Sequence, residues 1–489
     1  MIKSIVLAVI VLALLVSFVI FMPSSQSYLS LGLGAGIAVI FLVNFIVSTS
    51  SKKNYIERAA IWIPVLSLST FFILLPIIFA ALMNVWGAFS VATWVLMISL
   101  TLTMYYNFLN VPLAIYQKRR ELKQLESPGY FPPISILIPA YNEEKVIART
   151  LNSIIEASYP DKEIIVVDDG SKDQTYRIAA SFEDRGVKVI HRPNGGKATA
   201  LNHGLMFAKG DVIVVVDADS QISKNTLVEL IKPFRNPEVA AVAGNIKVLN
   251  RVNILTKCQA IEYIASINIY RRALDVFGSV SVVPGALGAY RREVMKSGGY
   301  YDPDTLVEDF DLTVKALKTG LIVQASTSAI SYTEAPKSIK DMIKQRLRWY
   351  RGNFQAIWKH RDILFNSRFG FLQRLSFPHM VISMIFLPLS GWVNVGAIIM
   401  VLIQGDGMVL VPAFLFFNLL QFFLSLLAIQ LDNEDYKLAF YSPFLIFGYK
   451  QLCDLILMKS FFDVLFKSKK LKWTSAQRIG ETTTGQRLN

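Results

Sequence analysis

Long stretches without a single charged residue constrain this chain more than any other feature of its sequence. Each is long enough to cross a bilayer, which requires roughly 20 apolar residues; they occupy residues 4–22, 28–49, 60–83, 87–108, 379–403 and 408–431. Residues 438–466 are also apolar, but Lys450, Asp454, Lys459 and Asp463 interrupt them. That segment is therefore either a further span or a segment at the membrane interface. With 53% hydrophobic and 18% charged residues, the chain is predicted to combine membrane spans with one soluble domain.

Basic residues mark one side of the predicted spans. They lie before the first span, after the second and after the fourth, at Lys3, Lys52, Lys53, Arg58 and residues 118–120. The loops at 24–27 and 84–86 carry no charge. The positive-inside rule therefore predicts a multi-pass plasma-membrane protein with its amino terminus and the chain after residue 117 in the cytoplasm. The net charge of +14 fits membrane lipids as partners, and no nucleic-acid-binding motif accompanies it.

The polar middle of the chain follows a breaker-rich linker at residues 126–133 and alternates apolar runs, polar loops and helical patterns. This alternation predicts a right-handed βαβ array with a parallel sheet. Strands are predicted at residues 134–138, 163–167, 187–191 and 212–216, and helices at 142–156 and from 194 onward. At least three strands would bring polar residues to one sheet edge, where ligands bind in open α/β sheets.

Four acidic residues follow two of these strands: Asp168, Asp169, Asp217 and Asp219. Such a cluster repels itself unless a cation or hydrogen-bond donors hold it together. Asp217 and Asp219 offer hard oxygen ligands to Mg²⁺ or Mn²⁺, which would usually hold a substrate diphosphate as well. The alternative is an ordinary surface turn, because Asp is common in turns after strands.

Two further loops at this edge carry candidate binding residues. Lys197 and the backbone amides of Gly195 and Gly196 are diphosphate contacts in one interpretation, because N–H groups at a helix start favour anions. An ordinary turn is the alternative for the two glycines. Directly after the first strand, three residues either line a base pocket or cap the next helix: Tyr141, Asn142 and Glu143.

The segment from Asp302 to Asp311 precedes a helical pattern that runs to Lys318. Glu308 and Asp309 would lie near the start of this helix, whose dipole keeps a carboxylate ionised. An ionised carboxylate that faces a crevice can accept a proton from an attacking hydroxyl. The alternative is that both residues are simple charges at a helix amino terminus.

Residues 338–360 predict an amphipathic helix. Its apolar face recurs at three- and four-residue spacing and contains Ile339, Met342, Ile343, Leu347, Tyr350, Phe354, Ile357 and Trp358. Gln345, Arg348, Trp349 and Gly352 fall on the opposite face. A helix lying on the membrane could present Arg348 to a diphosphate and Trp349 to a sugar ring. Arginine makes bidentate phosphate contacts, and a flat indole stacks well on a pyranose.

Together these motifs resemble those of the membrane-embedded processive family 2 glycosyltransferases, the cellulose, chitin, hyaluronan and poly-N-acetylglucosamine synthases. The resemblance covers roughly residues 130–360 and rests on four motifs in family order: Asp168-Asp169-Gly170, Asp217-Ala218-Asp219, Glu308-Asp309, and Gln345-Arg346-Leu347-Arg348-Trp349. Residues 284–292, 308–311 and 473–475 look most like the bacterial poly-β-1,6-N-acetylglucosamine synthases.

The resemblance implies an α/β GT-A (Rossmann-like) cytoplasmic glycosyltransferase domain inserted between α-helical transmembrane bundles. It implies a UDP-sugar donor and a growing polysaccharide acceptor, with Mg²⁺ or Mn²⁺ held by Asp219, assisted by Asp217. Asp309, beside Glu308, would be the general base. Donor contacts would come from Tyr141, Asn142, Glu143, Asp168, Asp169, Lys197, Asp217, Gln345 and Arg348, and acceptor contacts from Trp349. The chain departs from the family at Val307, where many members have Thr, and in having four leading spans where the poly-N-acetylglucosamine synthases have two.

The chain is accordingly divided into six regions. These are an N-terminal transmembrane region of four helices (1–116), a linker (117–133), the GT-A catalytic domain (134–337), amphipathic interface helices (338–375), a C-terminal transmembrane region with two clear helices and one uncertain segment (376–466), and a cytoplasmic tail (467–489). The polymer would leave through a channel of membrane helices, and a small membrane accessory subunit is a candidate partner. The alternatives are transfer of one sugar to a polyprenyl-phosphate lipid and a scaffold carrying an inactive transferase domain.

Overall fold

A computed structural model of the chain describes residues 110–121, 129–405, 407 and 410–466, together with positions 92, 95, 96 and 99. The chain divides into two compact units: residues 1–116 with 389–414, and residues 117–388 with 415–489. The spans predicted at 4–22, 28–49 and 60–83, most of the span at 87–108, and the tail at 467–489 lie outside the described residues. In the described part of the first unit, the hydroxyls of Ser99 and Ser390 lie 2.7 Å apart.

A mixed sheet forms the centre of the second unit. Among the described residues it has eight strands, in the order β3-β2-β1-β4-β7-β6-β8-β5. Their bounds are β1 Ile134–Ala140, β2 Lys162–Asp168, β3 Val187–His191, β4 Val212–Val215, β5 Ser220–Ile222, β6 Val239–Val248, β7 Gly288–Arg291 and β8 Ile322–Thr333. The first four strands pair in parallel, but β7 runs antiparallel between β4 and β6. The prediction of a parallel sheet is therefore wrong for β7 and β5, which pair antiparallel with their neighbours, whereas β6 and β8 pair in parallel.

Helices flank this sheet and continue into the carboxyl-terminal part of the chain. They are α1 Ile147–Glu156, α2 Thr175–Ala180, α3 Lys197–Leu205, α4 Thr226–Ile231, α5 Ile254–Ile261, α6 Ile269–Asp275, α7 Arg292–Gly298, α8 Glu308–Lys318, α9 Ile339–Lys359, α10 Phe377–Val381, α11 Leu387–Ile403, α12 Leu410–Leu431, α13 Ser442–Phe444 and α14 Lys450–Phe466. Residues 110–121 are helical as well. A π-helical segment, Glu262–Asn268, joins α5 to α6.

The alternating side chains of the central strands fill two hydrophobic clusters. Ile136 and Ile138 of β1 belong to one cluster, together with Leu151 of α1. Leu137, which points the opposite way in a strand, belongs to the other with Leu201 of α3. The sheet is thus covered by helices on both faces, which is why its strands read as continuous apolar runs rather than alternating ones.

The parallel pairing of β1, β2 and β4 determines where the candidate residues lie. Ala140 at the end of β1 pairs with Asp168 at the end of β2, and β4 pairs in parallel with the other side of β1. The loops that leave these three strands therefore meet at one sheet edge, as predicted. The helix after β1 begins at Ile147 and not at residue 142, because Asn142 has a φ of 56°.

One helical segment in the described part of the chain, Leu372–Ile403, is long and apolar enough to cross a membrane. It includes the predicted span at 379–403, and the predicted span at 408–431 largely coincides with α12. The segment at 438–466 is broken: a turn of helix at Tyr436–Tyr441 and the π-helical residues Leu445–Tyr449 precede α14. Gly448 interrupts the helix with a φ of 80°.

Candidate active site

Lys197, the first residue of α3, lies at the centre of a group of carboxylates. Its ammonium lies 2.7 Å from Oδ1 of Asp217 and 2.9 Å from Oε1 of Glu308. Burial alone would lower the pKa of Lys197, but the charges of Asp217, Glu308 and Asp309 outweigh burial and raise it. Lys197 is therefore a fixed cation, and we call these four residues the lysine-centred cluster. The sequence placed its members on three separate loops, and the structure brings them together.

Asp309 is held by backbone amides at the start of α8. Its Oδ2 accepts from the N–H of Gly285 at 3.1 Å, and its Oδ1 accepts from the N–H of Phe310 at 2.8 Å. Burial and the neighbouring charge of Glu308 raise the pKa of Asp309, although Lys197 and both amides oppose this. The helix dipole was predicted to keep Asp309 ionised, but burial has the larger effect on its pKa. A raised pKa makes the carboxylate a stronger base toward an attacking hydroxyl.

Asp168 and Asp169, after β2, are buried and held by partners from other loops. Oδ2 of Asp168 lies 2.6 Å from Nδ1 of His191, while its Oδ1 has no hydrogen-bond partner in the described part of the chain. The N–H groups of Gly195 and Gly196 donate to Asp169 at 3.0 and 2.7 Å. The prediction that these two amides contact a diphosphate is therefore wrong for this structure, because Asp169 already occupies them.

The residues after β1 form a turn rather than a helix cap. Asn142 accepts from the N–H of Lys172 at 2.8 Å and donates its own N–H to Ser171 at 2.9 Å. The N–H of Glu143 donates to the hydroxyl of Thr175 at 2.7 Å. Helix α1 has no side-chain cap, so the capping alternative is wrong. Asn142 and Glu143 instead hold the 171–175 loop next to the sheet edge; Tyr141 precedes them in the same turn.

Asp219 is buried beside two hydroxyl groups. The hydroxyls of Ser220 and Thr333 lie 3.4 Å from its Oδ1 and Oδ2, so both are weak contacts at that distance. Asp217, the other half of the Asp-x-Asp pair, is engaged by Lys197. The residues that the structure describes contain no group of three His, Cys, Asp or Glu that could hold a metal ion.

Helix α9 carries the candidate diphosphate and acceptor contacts. Gln345 is 8% exposed, and its Oε1 accepts no hydrogen bond from the described residues. Trp349 packs against the hydrophobic cluster on the α1 side of the sheet. The predicted division of α9 into faces is partly wrong: Ile339 and Trp358 of the apolar set are exposed, whereas Gln345 and Gly352 of the polar set are buried.

A close contact joins α9 to the catalytic candidates. A methyl group at Gly352 would lie 2.7 Å from Cγ1 of Val307, so the backbone of α9 runs directly against the residue that precedes Glu308. Near the carboxyl end of α9, His360 and Lys359 each lie 2.9 Å from Oδ1 of Asp311. Burial alone would raise the pKa of Asp311, but these bonds and the charge of Lys315 lower it. The amino-terminal turn of α8 is thus anchored to α9 at two points.

Sequence reasoning missed two residues near the site, Tyr263 within the π-helical segment and Arg271 in α6. Burial raises the pKa of Tyr263 to about 12, and the charges of Arg346, Asp219 and Arg271 act on the same hydroxyl. Burial lowers the pKa of Arg271 to about 10 against the opposing charge of Asp309. The charge of Asp219 thus acts on Tyr263, and the charge of Asp309 acts on Arg271. Their spacing in the sequence gives no signal of this, because the π-helical turn shifts the helical periodicity.

Comparison with known proteins identifies the class of this domain. Residues 135–299 match the family model described as glycosyl transferase family 2. The chain therefore carries a family 2 glycosyltransferase domain, which confirms the enzyme class that the motifs indicated.

Among curated proteins, the chain is similar to the poly-β-1,6-N-acetyl-D-glucosamine synthases of Staphylococcus epidermidis and Staphylococcus aureus. The identities are 32% and 30% over 227 residues, which are 46% of this chain and 55% of each relative. The chain thus spans about half the length of the curated relatives it matches. This likeness confirms the resemblance drawn from the motifs.

Among solved structures, a mannosyltransferase from Pyrobaculum calidifontis, in complex with GDP-mannose and Mn²⁺, has a similar fold. It is 20% identical, with a TM-score of 0.52 over 76% of this chain and 100% of that chain. This likeness confirms the GT-A type of mixed sheet, whereas the flanking transmembrane bundles remain a prediction.

Proposed function

We propose that this protein is a processive, inverting glycosyltransferase that polymerises a UDP-sugar, UDP-N-acetylglucosamine, into a β-linked polysaccharide. The observation that carries the proposal is the lysine-centred cluster, in which a buried carboxylate with a raised pKa lies next to a fixed cation at the ligand-binding edge of the sheet. The likeness to poly-β-1,6-N-acetyl-D-glucosamine synthases supports the choice of sugar.

The nucleotide is proposed to bind at the ends of β1 and β2. The buried Oδ1 of Asp168 lacks a partner among the described residues, and a carboxylate oxygen there suits an imide N–H of a pyrimidine base. Tyr141, Asn142 and Glu143 form the neighbouring wall, and Asp169 holds the 192–196 loop in place. Gln345 and Arg348 of α9 are proposed to contact the diphosphate, because arginine makes bidentate bonds to phosphate oxygens.

The chemistry of Asp219 fits a divalent cation. Its carboxylate is buried in the loop that follows β4, and carboxylate oxygens are hard ligands. Mg²⁺ or Mn²⁺ is usually bound by one or two carboxylates together with substrate phosphates. We propose that Asp219, assisted by Asp217, holds such an ion. When bound, the ion would neutralise the negative charge that develops on the departing diphosphate.

Asp309 is proposed to take the proton of the acceptor hydroxyl. The hydroxyl oxygen forms a bond to the anomeric carbon of the donor, and its proton passes to a carboxylate oxygen of Asp309. The bond from that carbon to the diphosphate breaks, and its electron pair leaves with UDP, so the configuration inverts. The ammonium of Lys197 lies 2.9 Å from the carboxylate of Glu308. This ion pair fixes the residue next to Asp309 and so keeps Asp309 in position.

The acceptor chain is proposed to rest against Trp349 and to leave through the membrane helices of the same protein. This proposal includes a multi-pass plasma-membrane topology with the catalytic domain in the cytoplasm, where nucleotide sugars are available. The apolar segment Leu372–Ile403, which directly follows α9 and its short connection, supports it. A small membrane accessory subunit and surrounding lipids are proposed partners.

The function is tested with the full chain in lipid nanodiscs, a panel of radiolabelled UDP-sugars, and Mg²⁺ or Mn²⁺. We expect high-molecular-weight product from UDP-N-acetylglucosamine. Replacing the base by Asp309→Asn should lower transfer by about 10²–10⁴-fold while UDP affinity changes little. The matched control is Asp304→Asn, the same chemical change at a side chain in the preceding loop that is 60% exposed.

Three results decide between the alternatives. Label found only in extractable lipid would replace the polymer synthase by a transferase that acts on a polyprenyl-phosphate. Wild-type transfer by Asp309→Asn would remove Asp309 from the role of base. Absence of transfer from every sugar of the panel would favour an inactive domain in a scaffold protein.

A further inference from the structure

Arg346, an intervening residue of the Gln345–Trp349 motif, is a buried cation with two oxygen partners from other segments. Its Nη2 donates to Oε2 of Glu262 at 2.5 Å and lies 3.4 Å from the hydroxyl of Tyr449. The Tyr449 hydroxyl in turn donates to the same Glu262 oxygen at 2.6 Å. The guanidinium is thus held between the π-helical segment before α6 and the segment before α14.

The same guanidinium lies over the indole of Trp349. The central carbon of the guanidinium is 4.6 Å from the ring centroid, within the range of a cation–π interaction. The two residues are three positions apart on α9, so their side chains meet on one side of the helix. Nε of Arg346 is buried without a hydrogen-bond acceptor among the described residues, which leaves the electron-rich indole as its neighbour.

The indole has apolar support as well, since it packs against the hydrophobic cluster on the α1 side of the sheet. A tryptophan that contacts a sugar must keep its ring plane fixed, because stacking on a pyranose depends on the orientation of the ring. The guanidinium supplies a directional contact that apolar packing alone does not. Glu262 and Tyr449 prevent the guanidinium itself from moving.

We propose that Arg346, fixed by Glu262 and Tyr449, is a positioning residue that holds the indole of Trp349 in the orientation required to receive the acceptor sugar. This inference rests on the proposed function, in which Trp349 contacts the acceptor. Arg346 acts through Trp349 and touches no substrate itself. Its effect therefore disappears when the indole is absent.

A double-mutant cycle tests the inference with the full chain in nanodiscs. Arg346→Met removes the charge and keeps most of the side-chain length. In the wild-type background we expect sugar transfer to fall by about tenfold, between the sizes of an exposed and a fully desolvated cation–π contact. In the Trp349→Ala background the same change should lower transfer by less than about twofold, because coupled residues are not additive. UDP affinity should stay unchanged in both.

Arg251→Met is the matched control for this cycle. Arg251 is also a poorly exposed arginine, and it lies 2.6 Å from Glu434, away from the indole. In the double variant, the losses of transfer caused by Arg251→Met and by Trp349→Ala should multiply. If Arg346→Met fails to fold, Arg346→Lys replaces it in the same cycle; an ammonium does not reproduce the bonded and stacked guanidinium, so transfer should still fall in the wild-type background and fall less in the Trp349→Ala background. Multiplicative losses for the Arg346 variant would overturn the inference.

A fluorescence measurement separates failure of this inference from failure of the proposed function. The contribution of Trp349 is the difference in emission between a protein and its Trp349→Phe form. Acrylamide quenching of that contribution should rise at least about twofold in Arg346→Met if the guanidinium covers and fixes the ring. Unchanged quenching overturns the positioning role, even if the wild-type chain transfers no sugar. Raised quenching without transfer refutes only the proposed function.

Discussion

Gly352 of α9 is the position at which a single methyl group tests the connection between this helix and Asp309, the proposed base. The added Cβ would lie 2.7 Å from Cγ1 and 2.9 Å from Cγ2 of Val307, and 3.1 Å from Cβ of Leu306. Rotation of the valine does not relieve the overlap, because both of its methyl groups are too close. The 306–307 backbone or α9 itself must therefore move.

The effect of Gly352→Ala on stability combines a steric cost with a gain in helix propensity. The first two contacts fall about 0.7 and 0.5 Å short of ordinary van der Waals contact at 3.4 Å. Alanine stabilises a helix interior by about 1 kcal/mol relative to glycine, while overpacking costs about 1–3 kcal/mol. The net loss of stability is thus about 0–2 kcal/mol. Misplacing a catalytic group by 1 Å costs about 10²-fold in rate, so Gly352→Ala should lower kcat by roughly 10–100-fold.

The assay is sugar transfer in nanodiscs, with thermal unfolding measured on the same preparation. Gly298→Ala is the matched control: its methyl group would meet only Cβ of Lys315, at 3.8 Å, so it should leave kcat unchanged. A Gly352→Ala protein with wild-type kcat would refute the reasoning, because the overlap would then be absorbed without moving Asp309. A large loss of stability with wild-type kcat at low temperature would refute it equally.

Two further predictions concern the charges of the site. Lys197→Met should lower the free energy of unfolding by roughly 3 kcal/mol, at the lower end for a broken buried ion pair because Asp217 is 31% exposed. Since Lys197 opposes the raised pKa of Asp309, its loss should shift the acid limb of the pH–rate profile to higher pH; an unmoved limb would contradict this. Asp311→Asn should destabilise the fold at pH 7. Because the folded pKa of Asp311 is lowered, its contribution is present above the unfolded value near 4 and is lost as pH falls toward the folded value. The difference in Tm between wild type and Asp311→Asn should therefore shrink in acid, and a constant difference would argue against the assignment.

The sequence predicted the elements that depend on local pattern. The strand predicted at 187–191 is observed at the same residues, and α8 ends at Lys318 before Gly320, whose φ is 86°. Helix α9 was predicted at 338–360 and is observed at Ile339–Lys359. These elements have one strong period or one clear stop signal, so local chemistry is sufficient to place them.

Contacts between distant loops could not be predicted in the same way. Gly195 and Gly196 were expected to bind a diphosphate, but their amides donate to Asp169, which lies 26 and 27 positions away in the chain. Asn142 was expected to start or cap a helix, but its side chain bonds the 171–172 loop instead. The type of a polar residue shows that it needs hydrogen-bond partners, but only the fold determines which groups those partners are.

The faces of α9 show the limit of periodicity. The apolar residues recur correctly, yet Ile339 and Trp358 are exposed at the two ends of the helix, where neighbouring elements no longer cover it. The buried polar residues lie in the middle, where α14 packs along the helix as well. Periodicity identifies which residues share a side, but it does not reveal that two different partners cover opposite sides.

The contacts of α9 explain how this helix can affect the position of Asp309, the proposed base, although Asp309 lies on α8. Successive turns of the helix engage different elements: Arg346 the π-helical segment, Arg351 the carboxylate of Asp463 on α14, Gly352 the residue before α8, and Lys359 the Asp311 carboxylate. A displacement of α14 is therefore passed to α9 through Arg351, and from α9 to the amino terminus of α8 through a contact that leaves no room for a methyl group. Because packed cores shift between discrete arrangements rather than deform continuously, Asp309 and the indole of Trp349 should move together with α9. Arg346, an intervening position of the Gln345–Trp349 motif, is accordingly constrained by its contacts within the protein, whereas Gln345, Arg348 and Trp349 are the positions that we propose to contact substrate.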